Sequence, residues 1–307
     1  MPRPELLTAG ALAVAVLGVS TSAPLIAYAA APALAIAFWR NALATGVLAP
    51  VAVATRPAEL RELLAGRAGL VTLVAGVALA AHFGTWVPSV KLTSVATATA
   101  LVATQPVWQG LIARSQGRPL PPAAWAGIAL AVAGAAAATG ADLTVSARAV
   151  VGDLLAAAGG MALAVYTAAG ERVRATISTT GYTTVCYGVC TAVLGAVCLA
   201  GGVSPSGYPA TAWLAIGGLV VGPQLLGHSM FSYALRRVSA TTVSVVYLLE
   251  VPGAALIGWL WLDQLPAPAA WPGLVLVVAG VAVVIRARGR HPGPPPVAGI
   301  RTSSNPG

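Results

Sequence analysis

The chain has 307 residues, of which 58% are hydrophobic and only 8% are charged. Soluble domains carry about 25% charged residues, so this composition excludes an ordinary soluble protein and indicates a membrane protein in a lipid bilayer. The formal net charge of +9 raises the question of nucleic-acid binding, but no loop carries the clustered basic and aromatic residues that such binding needs. We therefore predict no nucleic-acid partner.

Ten stretches of the chain are candidate membrane spans, because each provides most of the roughly 20 apolar residues that a spanning helix needs. In chain order they are Leu6–Ala23, Ala33–Ala54, Ala68–Pro88, Ser94–Ala113, Ala123–Gly140, Val151–Ala169, Ser178–Ala200, Thr211–Tyr233, Ala240–Leu262 and Ala269–Arg286. They lack the polar–apolar alternation of barrel strands. The sequence therefore predicts an all-α membrane protein with ten transmembrane helices.

The cationic residues are distributed unequally between the two sides that these spans define. With a cytoplasmic N-terminus, 14 of the 17 Lys and Arg residues fall on the cytoplasmic face; Lys91 and Arg148 fall on the outer face, and Arg40 lies within the second span. This is the positive-inside pattern. We predict a multi-pass protein of the cell membrane with both termini in the cytoplasm, where residues 287–307 form a Pro- and Gly-rich, disordered tail.

Two segments of the chain resemble each other at an offset of 146 residues. Residues 70–140 align with residues 216–286 without a gap. The informative matches are His82 with His228, Pro106 with Pro252, Pro122 with Pro268, and Trp125 with Trp271. His and Trp are rare in this chain, so these matches carry more weight than those of Ala or Val. Predicted spans three to five therefore correspond to spans eight to ten.

The repeat predicts the domain organisation. Residues 1–145 form a first unit of five spans and residues 146–286 a second. Because five is an odd number, the second unit enters the membrane in the opposite orientation, which makes a 5+5 inverted-topology repeat. Proteins built in this way place the substrate site near the bilayer midplane, between the halves.

Four segments, taken in order, are similar to a known family. They are "AFWRNALATGVLAP", "KLTSVATATALVATQPVWQGLIA", "VGDLLAAAGGMALAVYTAAGERV" and "LLEVPGAALIGWLWLDQL". Together they resemble the EamA-type permeases of the drug/metabolite transporter superfamily, and the resemblance extends over both halves. It implies secondary transport of a small metabolite, often efflux, from a central cavity.

Glu250 lies near the centre of the ninth predicted span, about 12 residues from each end. A charge at that depth costs about 2.5–3.5 kcal/mol on insertion scales unless it is paired, protonated or in contact with water. Pro252 predicts a kink that frees backbone polar groups at the same depth. We interpret Glu250 as a proton-coupling carboxylate or a counter-ion for a cationic substrate group; a structural buried carboxylate is the alternative.

Arg40, in the second span, needs a partner or a polar cavity because a guanidinium keeps its charge at accessible pH. Its position matches an Arg of the family. Three interpretations are open: a structural role, as an ion pair with Glu250 or with the charged head snorkelled to the membrane interface; a contact with a substrate anion or a gate; and a contact with lipid.

His82 and His228 are repeat partners, so the inversion predicts one in the outer half of the membrane and the other in the inner half. His82 shares a helix face with Trp86, and His228 shares one with Gln224. Each His is either a structural hydrogen-bonding residue between helices or a pH-responsive contact on its side of the site.

The fourth span offers a possible polar wall for the same cavity. Thr97, Thr104 and Trp108 share one face of a continuous helix. Thr104 is the repeat partner of Glu250, and Pro106 predicts a second kink. Hydroxyl bonds to the helix's own carbonyls are the structural alternative. In the ninth span, Tyr247 shares a face with Glu250.

Gly127 and Gly134 in the fifth span match Gly273 and Gly280 in the tenth. They mark smooth helix faces for close packing or, alternatively, a contact in a possible homodimer.

Three functional classes are compatible with a helical membrane protein of this composition. A secondary transporter that exports a small molecule, such as an amino-acid-like compound or a drug, explains the inverted repeat, Glu250 and the prolines together. A non-transporting scaffold or sensor is the alternative, and an intramembrane enzyme is less favoured because no protease motif is present. We predict no enzyme activity, cofactor or metal, and energy from a proton gradient or exchange, since no nucleotide-binding loop is found.

Overall fold

The structure, a computed structural model, describes residues 4–93, 95–139, 146–262 and 268–288, and within these ranges every regular element is helical. The α-helices are α1 (Pro4–Ser20), α2 (Ser22–Tyr28), α3 (Ala33–Thr55), α4 (Pro57–Ala65), α5 (Arg67–Leu92), α6 (Val95–Val102), α7 (Gln105–Ser115), α8 (Pro122–Thr139), α9 (Ala147–Val173), α10 (Thr179–Ala200), α11 (Ala210–Leu219), α12 (Ser229–Ala234), α13 (Ala240–Tyr247), α14 (Glu250–Leu262) and α15 (Trp271–Arg288). A π-helical segment (Val220–His228) joins α11 to α12, and a 3-10 turn (Pro268–Ala270) precedes α15. The predicted tail lies outside the described residues from 289 onward.

Eight helical stretches in the described part of the chain are long and apolar enough to cross a membrane. They are Pro4–Tyr28, Ala33–Thr55, Arg67–Leu92, Ala147–Val173, Thr179–Ala200, Ala210–Ala234, Ala240–Ile257 and Pro268–Ala287. A shorter apolar helix covers Pro122–Ala138. The prediction of an all-helical membrane fold is confirmed, and the fourth predicted stretch is occupied by the short helices α6 and α7.

The fourth and ninth predicted spans are each broken into two helices. Pro106 is the second residue of α7, and Pro252 is the third residue of α14. Proline is tolerated in the first turn of a helix because the backbone donor it lacks has no partner there. Across the two breaks the backbone switches to i→i−3 hydrogen bonds, such as Thr104 N to Leu101 O and Leu249 N to Val246 O. The prolines therefore start new helices.

A further break in helical regularity is the π segment between α11 and α12. Pro223 lies within it and supplies no backbone donor. The wider turn brings the Gln224 carbonyl within 3.2 Å of the Ser229 hydroxyl, five residues later. Such segments are frequent at functional sites, and this one includes two of the predicted site residues, Gln224 and His228.

The helix boundaries repeat at the offset found in the sequence. Residues 33–55 of α3, shifted by 146, become 179–201, and α10 covers Thr179–Ala200. The break after α6 corresponds in the same way to the break after α13. The structure thus extends the repeat to the second span of each half, where the sequence alone showed little similarity.

The two glycine pairs show the relative direction of repeat-equivalent helices. A Cβ at Gly127 would lie 2.9 Å from Gly280 O, and one at Gly134 would lie 2.8 Å from Gly273 O. As residue numbers increase along α8, the residue numbers of their contacts on α15 decrease, so these equivalent helices pack antiparallel. The glycine faces are used for packing within the chain, as the first of the two interpretations proposed.

Candidate functional site

A small cavity lies where the two broken helices meet α5, α9 and the π segment. It is lined by Val19, Ser22, His82, Trp86, Thr99, Val102, Ala103, Gln105, Leu163, His228, Tyr247, Leu248, Glu250 and Val251. The centres of water molecules have about 40 Å³ in which to lie, whereas a single water needs about 10–15 Å³. The cavity therefore has room for a few water molecules.

Glu250 begins α14 at the break and faces this cavity. Within the described residues its carboxylate makes no hydrogen bond and has no cationic nitrogen within 4.0 Å. Its backbone carbonyl is 3.4 Å from the Ser20 hydroxyl, which lies closer, at 2.7 Å, to Val16 O. The acidic group is thus held at a helix terminus with its oxygens available to the cavity.

His82 and His228 meet in this cavity, with ring centroids 6.2 Å apart. They were predicted to lie one on each side of the site, and the structure instead brings both rings into one cavity. An inversion axis leaves residues close to it in the middle, so residues related by the repeat can be neighbours. The two imidazoles share one site.

Each imidazole is fixed by a different partner. His82 Nδ1 is 2.9 Å from Gly159 O, and a carbonyl only accepts, so a neutral His82 ring carries its proton on Nδ1 and leaves Nε2 as an acceptor. His228 Nδ1 is 3.2 Å from the Tyr247 hydroxyl. Tyr247 belongs to α13 and lies three residues before Glu250. It therefore links the imidazole pair to the broken helix.

Aromatic rings line the cavity at His82, Trp86, His228 and Tyr247, and Phe83 and Phe231 pack behind them. Trp86 stacks on His82 with centroids 5.8 Å apart and an angle of 8°. Phe83 meets His228 edge to face at 5.2 Å, and Phe231 stacks on Tyr247 at 3.8 Å. Such a wall suits a flat apolar group or a cation over a ring face.

Arg40 lies beside the cavity and is fully buried, with 0% of its surface exposed. Its Nε donates to Gln224 Oε1 at 2.9 Å, and Gln224 Nε2 donates to Asn41 Oδ1 at 3.0 Å. The guanidinium carbon lies 4.1 Å from the centre of the Phe83 ring. The structure therefore gives Arg40 a neutral amide partner, where charge alone had suggested Glu250.

The two Nη atoms of Arg40 are buried and have no hydrogen-bond acceptor among the described residues. Removing one partner of a buried ion pair costs about 3–5 kcal/mol in soluble proteins, because the remaining charge is uncompensated. Glu250 is near enough for its charge to act on Arg40, but no ion pair forms between them. Arg40 is thus a buried cation whose donors are only partly used.

Five of the ten predicted cavity residues are not in the lining that the structure describes: Arg40 and Gln224, which bind each other beside the cavity, and three residues of the fourth predicted span. Thr97 is buried, Thr104 donates its hydroxyl to Leu101 O at 2.7 Å, and Trp108 is half-buried. Thr97, Thr104 and Trp108 would share one face only on a continuous helix. The break between α6 and α7 changes their relative orientation. Thr99 and Gln105 of the same region line the cavity instead.

The sequence reasoning also missed Asn41, Phe83 and Gln105. Asn41 was detectable because it adds a second polar side chain directly after Arg40 in an apolar run. Gln105 was detectable because it precedes Pro106; its amide donates to Thr167 Oγ1 at 3.1 Å. Phe83 has no signal of its own, since one aromatic residue in an apolar helix is unremarkable.

The two repeats also meet at one end of the bundle, which we call the Arg-rich end, where α7 and α9 end and α10 begins. Arg118 donates to both carboxylate oxygens of Glu171, at 3.1 and 2.9 Å. Glu59 on α4 accepts from Ser178 N and Ser178 Oγ at 3.0 and 2.5 Å, at the N-terminus of α10. The hydrogen bond to Glu171 raises the pKa of Arg118, so this arginine stays charged.

Arg174 is a second buried arginine, at the Arg-rich end, and shows how a structural one is satisfied. Its Nε donates to Ser232 O at 2.9 Å and its Nη1 donates to Ile177 O. Burial lowers the pKa of Arg174 to about 10, so the side chain stays cationic at neutral pH.

The opposite end of the bundle is held by hydrogen bonds to carbonyl groups. Lys91 Nζ donates to Ala29 O at 3.1 Å, Arg148 Nη2 donates to Lys91 O at 3.2 Å, and Trp39 Nε1 donates to Pro205 O at 2.8 Å. In the described part of the chain, the one ion pair is Arg118–Glu171. The two ends are therefore closed by different chemistry.

A helical membrane fold with an internal repeat, in which the equivalent helices α8 and α15 pack antiparallel, is typical of a transporter. The chain matches the model of the EamA-like transporter family twice, over residues 6–140 and 150–286. It therefore belongs to the EamA-like transporter family, within the drug/metabolite transporter superfamily, whose members are generally not enzymes. The chain is a multi-pass membrane protein.

The similarity to solved structures agrees with this assignment. One crystal structure of a protein with 23% sequence identity has a TM-score of 0.76 and covers 92% of this chain and 98% of its own. Similarity at that identity shows the fold. No curated protein matches the sequence.

Proposed function

We propose that the protein is a secondary active transporter that exports a small metabolite across the cell membrane by alternating access, coupled to protons through Glu250. The fold is ten crossings in a 5+5 inverted repeat: the eight long stretches, α8, and α6 with α7 as one interrupted crossing. The distribution of Lys and Arg puts the N-terminus, the C-terminus and the Arg-rich end in the cytoplasm.

The observation that carries this proposal is Glu250 at a helix break, facing a cavity between the repeats without a partner among the described residues. A carboxylate kept in an apolar bundle without a structural counter-ion is best explained by a ligand or a proton that comes and goes. The cavity in this conformation is too small for a metabolite, which fits a closed state of an alternating cycle.

The test is a search for solute-driven proton movement. Purified protein is reconstituted into liposomes that contain a pH-sensitive dye, and amino acids, small metabolites and cationic dyes are added under an imposed pH gradient. We expect at least one class of solute to change the internal pH at a rate that depends on the protein. If no solute does so and none is exchanged, the scaffold or sensor alternative is preferred.

The ion pair Arg118–Glu171 is expected to hold the cytoplasmic side closed, because it joins the first repeat to the second. Exposed ion pairs contribute on the order of 1 kcal/mol or less, which corresponds to at most about a five-fold shift in population. The reporter is Leu163→Cys, a cavity position, in a background without the three native cysteines. An impermeant maleimide is added from the cytoplasmic side, and in Glu171→Gln we expect labelling of this cysteine to be up to about five-fold faster.

The matched control for this experiment is Glu62→Gln, which removes the charge of an exposed glutamate on α4 and should leave labelling unchanged. The charge reversal Arg118→Glu with Glu171→Arg should restore the original rate. Equal rates in Glu171→Gln and in the parent protein would show that the pair does not close this side.

A further inference from the structure

Arg40 differs from the other buried arginine of the protein in the way its donors are used. Arg174 donates to two backbone carbonyl groups, whereas Arg40 donates only from Nε, to the neutral amide of Gln224. Both Nη atoms of Arg40 are buried without an acceptor among the described residues. The planar donor fork of a guanidinium matches the geometry of carboxylate and phosphate oxygens.

Phe83 lies between this guanidinium and the cavity. Its ring centre is 4.1 Å from the Arg40 guanidinium carbon, and it is 4.8 Å from the ring of His82 and 5.2 Å from the ring of His228. Both imidazoles line the cavity. The Phe83 ring, backed by the two imidazoles, therefore separates the unused donors of Arg40 from the space in which a substrate would bind.

We propose that Arg40 is an anion-binding residue for the transported molecule and that Phe83 covers it in the closed state. When the cavity opens, the Phe83 ring moves aside and the two Nη groups bind an oxyanion of the substrate, a carboxylate or a phosphate. Gln224 and Asn41 hold the guanidinium in place through Nε. This inference rests on the proposed function and adds the chemical class of the substrate: a small molecule that carries an oxyanion.

The position of the Phe83 ring against Arg40 also has a physical reason. The face of the Phe83 ring stabilises the cation through its quadrupole, so the guanidinium is protected from the apolar surroundings when no anion is bound. An oxyanion bound in the plane of the guanidinium forms charge-assisted hydrogen bonds that the ring cannot supply, and its approach from the cavity requires the Phe83 ring to move. Opening of the cavity and binding of the anion are thereby coupled.

The experiment measures the accessibility of Arg40 directly. Full-length protein in detergent is treated with phenylglyoxal, which modifies guanidinium groups, and labelling of each arginine is quantified by mass spectrometry. In the unmodified sequence, Arg40 should react as slowly as Arg174. In Phe83→Ala we expect Arg40 to react at least ten-fold faster, while Arg174 and the exposed Arg118 keep their rates. Phe83→Leu, which preserves more of the packing, serves if Phe83→Ala is not monodisperse.

Anion binding is tested in the same variant with three matched probes. Benzoate and phenyl phosphate should protect Arg40 from labelling, and the neutral isostere benzamide should not. Protection by benzoate alone identifies a carboxylate site, and protection by phenyl phosphate alone identifies a phosphate site. If Arg40 is no more reactive in both Phe83 variants, or if neither anion protects it, the proposal is wrong.

This test does not depend on transport. Absence of protection together with solute-driven proton movement in liposomes would overturn the anion site and leave the proposed function standing. Protection without any such movement would support an oxyanion site in a protein that does not transport protons.

Discussion

Glu250→Gln is expected to abolish proton-coupled transport and to leave the protein folded. Glutamine keeps the size and hydrogen-bonding capacity of the side chain but cannot bind and release a proton at accessible pH. The carboxylate has no ion-pair partner in the described structure. Removing its charge therefore does not break an ion pair with a neighbouring cation. The insertion cost of the charge, about 2.5–3.5 kcal/mol at the centre of a span, also favours folding of the neutral variant.

The measurement is the solute-driven pH change in liposomes, once a transported solute is known. We expect a loss of at least ten-fold in this signal for Glu250→Gln, with exchange of labelled for unlabelled solute retained and independent of pH between 5.5 and 8. Retention of exchange matters because it separates loss of coupling from loss of substrate binding.

Glu62→Gln on the exposed face of α4 is the matched control, since it makes the same chemical change away from the cavity. Its coupled transport should equal that of the parent protein. Unchanged coupling and an unchanged pH profile in Glu250→Gln would remove this residue from the mechanism and, with it, the observation on which the proposed function depends.

Gly134→Leu is expected to have the largest effect on stability. A Cβ at this position would lie 2.7 Å from Val277 N and 2.8 Å from Gly273 O, both backbone atoms of α15. Backbone atoms of a packed helix cannot move aside as a flexible side chain can, so α8 and α15 must separate. Overpacking typically costs about 1–3 kcal/mol, and we expect the upper part of this range here.

The control is Gly46→Leu, because nothing lies within 4 Å of a Cβ at Gly46. Both substitutions gain about 1 kcal/mol of helix propensity, so this gain cancels when the two variants are compared. Thermal unfolding in detergent should show a lower midpoint for Gly134→Leu and an equal or higher one for Gly46→Leu. Equal midpoints in the two variants would mean that α8 and α15 do not pack as closely as the structure shows.

The sequence predicted the elements of the candidate site better than their arrangement. Glu250, Trp86, Tyr247 and both histidines were identified from polar or aromatic residues in apolar runs, and the structure brings all five to one cavity. Their roles stay predictions. Thr97, Thr104 and Trp108 were grouped by helical spacing, which assumes an unbroken helix.

The partner of Arg40 could not be inferred from charge. Glu250 was suggested by its opposite charge, yet the guanidinium binds Gln224, which lies in the π segment next to α3. A helical wheel drawn with 3.6 residues per turn cannot show this, since the π segment has a different period.

The sequence by itself determined that this protein is helical and membrane-embedded, that its halves repeat at an offset of 146, and that an acidic residue lies within a span. These properties depend on composition and on spacing along the chain, which need no knowledge of the packing. Only the tertiary structure decided that His82 meets His228, that Phe83 packs against Arg40 and that Arg118 joins the repeats through Glu171. Each of these contacts joins two residues that are far apart in sequence, so it is set by the way the helices pack.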